Sequence, residues 1–232
     1  MKMNIHKMVI IVLMISFISC KKQDVKDHSD HVEMNMDLKN ELETILIKDQ
    51  GIRELVNGNV SDERKAELLV QMQINESDIE GIKRFELMQQ IDSINLAKIE
   101  KIIAEYGYPG KSLVGEPANK AALYVIQHSK QIGTYLPLIR KASAAGDIAQ
   151  TSLAMMEDRN LMEQGQEQIY GTQIKGKANK QGAWIYFLWP VKNTDSVNLR
   201  RKEVGFDQSL EEYLKSIDVE FQLYTLNEVN EL

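Results

Sequence analysis

Cysteine is almost absent from this chain of 232 residues, and the single one, Cys20, falls near the start. A folded part without a second thiol has no disulfide, no thiolate zinc site and no cysteine nucleophile, even in a compartment where disulfides form. Histidine is scarce as well. Only His128 lies beyond the first 31 residues, which excludes a three-histidine metal centre; a metal there would need carboxylates around one imidazole, and none is expected. Glycine-rich phosphate loops are missing: Gly107, Tyr108, Pro109 and Gly110 make too short a segment, placed after a helical stretch rather than between a strand and a helix. With no nucleotide, flavin or haem signature, no cofactor is expected. Basic clusters are also lacking. The formal charge is −6, and the run Arg200, Arg201, Lys202 stops at Glu203, so it reads as an exposed strand or loop edge and not as a nucleic-acid face.

The longest apolar run, Met8 to Ile18, is shorter than the roughly 20 residues that a spanning helix needs. Lys2 and Lys7 precede it and Ser19 and Cys20 follow, giving the charged, apolar and small-residue zones of a signal peptide in order. Ile18, Ser19 and Cys20 resemble the lipobox of bacterial lipoproteins, with Phe17 where leucine is commoner. Residues 1–19 are therefore expected to be removed and Cys20 to carry diacylglycerol and further acyl chains, each buried methylene adding about 0.8 kcal/mol of membrane affinity. The expected location is the cell envelope, on the periplasmic face of the outer membrane, with the membrane itself as a partner through the lipid. Loss of residues 1–19 removes two lysines and no acid, moving the formal charge from −6 to −8.

Residues 20–36 are polar and aperiodic and read as the lipidated cysteine and a flexible tether; His28 and His31 in it lack further fixed ligands. Residues 37–232 suffice for one core and show no repeat. Leu38, Leu42, Ile45, Ile52 and Leu55 recur at helical spacing up to Gly58. Ser61 caps a shorter helix with Leu68 and Met72, and Ser77 opens a long one through Ile82, Ile91 and Ile102, ended by Gly107 and Pro109. Pro117 leads a helix over 121–131, and two more are expected over 135–145 and 148–164. After Gly165 the β-branched and aromatic segments 168–173 and 183–189 look like a hairpin closed by Pro190. A last short helix over 209–217 and an alternating segment over 219–224, readable as a further strand, complete the chain. The fold class is thus mainly α, an α+β multi-helix bundle with a small antiparallel hairpin near the C-terminus.

Several polar side chains interrupt these apolar stripes. Asp49 and Arg53, four apart with Gln50 beside them, share a face of the first helix, where an exposed pair contributes only about 0.2–0.5 kcal/mol. Asp92 and Asn95 fall among the isoleucines of the long helix, and Asp158 and Arg159 follow Met156. Each must find a hydrogen-bond partner if buried, so they line a polar cleft or knit a buried network. Gln127 and His128 end the helix that begins near Pro117; His128 is either a proton acceptor near neutral pH or a structural histidine between helices. On a strand over 168–173, Gln168, Tyr170 and Thr172 would share one face, with Gly171 allowing close approach. Tyr170, Trp184 and Trp189 could stack on a sugar ring, though the core of a small sheet is their simpler role.

Taken in order, Asp49, Gln50 and Arg53; Asp92 and Asn95; Tyr106 to Pro109 with Ser112 to Gly115; Gln127 and His128; Asp158 and Arg159; Gln168, Tyr170 and Gln173; and Arg200, Arg201 and Gly205 resemble the bacterial family catalogued as domain of unknown function 6624, over about residues 38 to 216. Tyr108 stands where that family often has tryptophan. Ser129 and Lys130 replace the alanine and aspartate that often follow its histidine, so the carboxylate supplied there by the family pattern is missing. The resemblance implies a shared fold and a set of polar positions, and it brings no activity. Two functions are expected from these positions. One is a lipid-anchored binding or interaction module with a polar cleft around His128, taking a small-molecule or envelope ligand. The other is a hydrolase of envelope glycan or peptide, with His128 or Asp49 as general base and Arg53 or Arg159 holding an anionic group.

Overall fold

A computed structural model describes residues 34–180 and 182–231, so Cys20 and nearly all of the expected signal peptide and tether lie outside the described residues. Helix α1 (Met36–Asn57) starts on Asn35, whose side chain accepts from the Leu38 N–H, and stops at Gly58 with φ 74°. Leu38, Leu42, Ile45, Ile52 and Leu55 are buried, as their spacing requires, and each fully buried aliphatic side chain contributes about 1.5–3 kcal/mol. Helix α2 (Asp62–Met72) is capped by Ser61 and packs on α1 at Gly51, where an added Cβ would lie 2.7 Å from Met72 Sδ.

Ser77 does not open the long helix. It sits in a 3₁₀ turn (Glu76–Ile79), and Gly81, with φ 55°, breaks the chain before α3 (Lys83–Tyr106) begins. Gly107, at φ 74°, ends α3. Helices α4 (Lys111–Val114) and α5 (Ala121–Gln127) follow. The latter stops four residues short of the expected boundary, because the Ser129 hydroxyl donates to the Ile126 carbonyl and accepts from the Gln131 N–H, closing a local turn. Helices α6 (Ile132–Ala144) and α7 (Gln150–Glu163) complete the bundle. Its main core runs between α1, α3, α5, α6 and α7, around Leu42, Ile99, Ile126, Ile139 and Met156.

The hairpin is present but shifted. Strands β1 (Ile174–Ala178) and β2 (Trp184–Leu188) are antiparallel, with Ile174 opposite Leu188 and Ala178 opposite Trp184, so the first strand starts where 168–173 was expected to end. Trp189 is buried, whereas Trp184, at the start of β2, is 64% exposed. Arg200, Arg201 and Lys202 lie on α8 (Val197–Glu203) rather than on a strand or loop edge. Helix α9 (Leu210–Ser216) starts on a capping box made by Ser209 and Glu212, and its Leu210 and Leu214 pack with Leu188, Val191 and Val197 in a separate core. It is not the last helix. Residues 219–224 take no strand partner among the described residues, and α10 (Leu226–Glu231) follows, placing Val229 against Phe187 and Trp189.

Candidate functional site

Asp49 falls on the α1 stripe at the position after Ile45 and before Ile52, and it is 1% exposed. The folded chain gives this carboxylate three partners. Gln50 Nε2 donates to Oδ2 at 2.7 Å, Arg53 Nη1 lies 3.2 Å from Oδ1, and His128 Nδ1 lies 3.2 Å from the same oxygen. Arg53 also donates to the Asp49 carbonyl at 2.6 Å and to Asp92 Oδ1 on α3 at 2.8 Å, so one guanidinium bridges two helices. Asn95 is buried one turn away and reaches the Ile45 carbonyl at 3.5 Å. The expectation of an exposed Asp49–Arg53 pair is therefore corrected: the crossing of α3 and α5 over α1 covers Asp49 and leaves Arg53 and His128 with side chains 20% and 18% exposed.

The proton in the Asp49–His128 contact has an assignable place. Facing an ionised carboxylate, which only accepts, Nδ1 takes the donor role, and the tautomer with the proton on Nδ1 leaves Nε2 as an acceptor. Nε2 makes no hydrogen bond among the described residues, yet it is absent from the buried polar atoms that lack one, so solvent reaches it. The carboxylate partner missing from Ser129 and Lys130 is thus supplied from α1, 79 residues away in the chain. Gln127 is half-buried at the end of α5 and joins no hydrogen bond of this group.

The remaining positions form a second centre around the loop over 168–173. Asp158, on α7 and 0% exposed, accepts from the N–H groups of Ile169, Tyr170 and Thr172 at 2.6, 3.0 and 3.0 Å and from the Thr172 hydroxyl at 2.9 Å. Burial pushes its carboxyl above the usual range, and these donors pull it part of the way back. Gln168 pairs like a strand, its Oε1 accepting from the Gln173 N–H and its Nε2 donating to the Gln173 and Trp189 carbonyls. The carbonyls of Ile169, Tyr170 and Thr172 accept from Arg200 Nε, Arg201 Nη1 and the Tyr213 hydroxyl. Side chains therefore satisfy the backbone groups that a sheet would otherwise take, which is why this segment is a loop and Gln168, Tyr170 and Thr172 do not share a strand face. Gln173 Nε2 reaches the Met155 carbonyl and the Thr172 hydroxyl. Arg159 points elsewhere: its Nε is 3.7 Å from Glu163 Oε1, an ion-pair distance too long for a hydrogen bond.

The structure thus gathers Asp49, Gln50, Arg53, Asp92 and His128, with Asn95 beneath them, and places Asp158, Gln168, Tyr170, Gln173 and Arg201 in a separate knot. No hydrogen bond or ion pair among the described residues joins the two. Cavities of about 310, 340, 430, 520 and 720 Å³ open on the described surface, and none of these is lined by Asp49, Arg53 or His128. The His128 centre is a polar group in which Asp49 is buried and the Arg53 and His128 side chains remain partly exposed. No three His, Cys, Asp or Glu side chains among the described residues are grouped to hold a metal ion. Sequence reasoning missed Phe206 and Tyr213, whose rings lie 4.7 and 5.3 Å from the Arg201 guanidinium. One is in a loop and the other on the next helix, so no periodicity links them to Arg201.

The profile described as "Family of unknown function (DUF6624)" matches residues 36–225, and the chain belongs to that family. No curated protein and no solved structure matches it.

Proposed function

We propose that this member of the family is a lipid-tethered binding module of the cell envelope, in which the His128 imidazole is the group offered to a ligand. The observation that carries the reading is the Nδ1 contact to buried Asp49 at 3.2 Å, with Nε2 on the solvent side. A carboxylate held by Gln50 and Arg53 has no freedom to follow solvent, so it fixes both the ring orientation and the tautomer. The open nitrogen then accepts a hydrogen bond from a hydroxyl or amide N–H of the ligand, while Arg53, between Asp49 and Asp92, sets the charge of the rim. The tether places that contact within reach of the membrane, as the signal-like residues 1–20 imply.

The same carboxylate–imidazole pair favours a second reading, a hydrolase with His128 as general base and Asp49 as its orienting partner. The two are separated by one experiment. The full chain in lipid nanodiscs is incubated with envelope glycan and peptide fragments, and both retention and cleavage are measured. Retention without cleavage, lost in His128→Ala, is the outcome expected for the binding module. Cleavage lost in the same variant would establish the hydrolase instead, and fragments neither retained nor cut would remove His128 from both.

A further inference from the structure

The second centre contains a buried charge with no ion-pair partner among the described residues, Asp158 and Glu211 acting on it only from longer range. Arg201 is 2% exposed, and its two hydrogen bonds, from Nε to the Gln208 carbonyl at 3.0 Å and from Nη1 to the Tyr170 carbonyl at 2.9 Å, both go to neutral backbone oxygens. No carboxylate lies within ion-pair distance of it among the described residues; arginines 53, 64, 140 and 159 each have one, and Arg84 and Arg200, which also lack one, are less buried. Asp158 is committed to the 168–173 loop, and Glu211 to Asn198. Burial accordingly makes the charged form of Arg201 harder to hold than usual. A buried cation left without a counterion is costly, and a fold that keeps one has a reason at that site.

The reason is visible beside it. A cavity of about 430 Å³ opens against Arg201 and is bounded by Thr151 and Met155 of α7, Phe206, Asp207 and Tyr213. Nη2 makes no hydrogen bond among the described residues and is not among the buried polar atoms without a partner, so this nitrogen keeps some exposure, on a side chain that lines the cavity. The rings of Phe206 and Tyr213, at 4.7 and 5.3 Å, hold the guanidinium in place, which favours a planar oxyanion over a spherical one. Met155, Phe206 and Tyr213 add apolar walls, while Asp207 at the rim repels a second negative charge.

We propose that this cavity binds a monocarboxylate joined to an apolar group, with the carboxylate on Arg201 and the apolar part against Met155 and Phe206. The site shares no residue with the His128 centre, so either can fail without the other. A free organic acid and the C-terminus of a peptide offer the same chemistry, and the probes distinguish them. Isothermal titration of the full chain in lipid nanodiscs is made with N-acetylphenylalanine, its amide, a short peptide ending in phenylalanine and inorganic phosphate. Saturable binding of N-acetylphenylalanine is expected, with none for the amide and none for phosphate; equal binding of the peptide extends the site to chain termini, and weaker binding restricts it to small acids. Arg201→Lys keeps the charge but loses the fork, and weakens binding by about tenfold or more. Thr151→Trp fills the cavity from α7 without touching the guanidinium, and abolishes binding in a chain whose circular dichroism is unchanged. Binding of the amide or of phosphate as tightly as the acid, unchanged affinity in Thr151→Trp, or no saturable heat with any probe would overturn the assignment.

Discussion

Asp49 occupies a place where the stripe of α1 asks for an aliphatic side chain, and its cost of burial is offset only because Gln50, Arg53 and His128 converge on it. Removing the carboxylate strands Arg53 and the imidazole together. Asp49→Ala is therefore expected to lose about 3 kcal/mol of stability, whereas His128→Ala, at the edge of the group, loses about 1 kcal/mol. Chemical denaturation of the two variants checks the ratio; equal losses would mean that His128 is as structural as Asp49. Asp158 carries a different burden, since four donors of the 168–173 loop have it as their acceptor. Asp158→Ala is expected to cost about 3 kcal/mol or more and to expose the Ile169, Tyr170 and Thr172 amides to hydrogen exchange, while amides of α1 keep their relative protection. At this scale part was legible: Asp49 interrupts an apolar stripe, Asp158 follows an apolar segment and His128 ends a helix. What could not be read was the grouping. Asp49 meets His128 across 79 residues and Asp158 meets Thr172 across 14, and no spacing rule states such pairings.

Among the elements, the helices with clean caps were the readable ones. Ser61, Ser209, Gly58 and Gly107 each mark a boundary that the chain observes, because a cap acts on the few nearest backbone groups. The misplacements have nonlocal or side-chain causes. Segment 168–173 has the composition of a strand, but Asp158, Arg200, Arg201 and Tyr213 take its backbone groups and Gly171 turns it at φ 71°. A Cβ on Gly171 would stand 2.7 Å from Leu210 Cδ1, in a conformation that L residues avoid. Gly171→Ala is accordingly expected to destabilise by about 2–3 kcal/mol. Thermal unfolding measures it, and a change below about 0.5 kcal/mol would show that the loop yields without strain.

For the molecule as a whole, the address and the folded domain are separate claims. Lipid on Cys20 predicts that metabolic labelling with palmitate marks the wild-type chain in the membrane fraction, and that Cys20→Ser loses both label and membrane association; a soluble, unlabelled wild type would remove the tether. The domain itself is a helical bundle whose helix α7 is pinned by side-chain hydrogen bonds to the loop that precedes a small hairpin, and its two polar centres are chemically unlike. One pairs every charge it holds. The other keeps Arg201 open.

The functional reading stands on the orientation of one ring, and long-range ¹H–¹⁵N correlation of His128 in the full chain tests it most directly. The account predicts a ring with the proton on Nδ1 and a bare Nε2, and loss of that single-tautomer signature in Asp49→Asn. A proton on Nε2 in the wild-type chain, or a spectrum indifferent to Asp49, would contradict it.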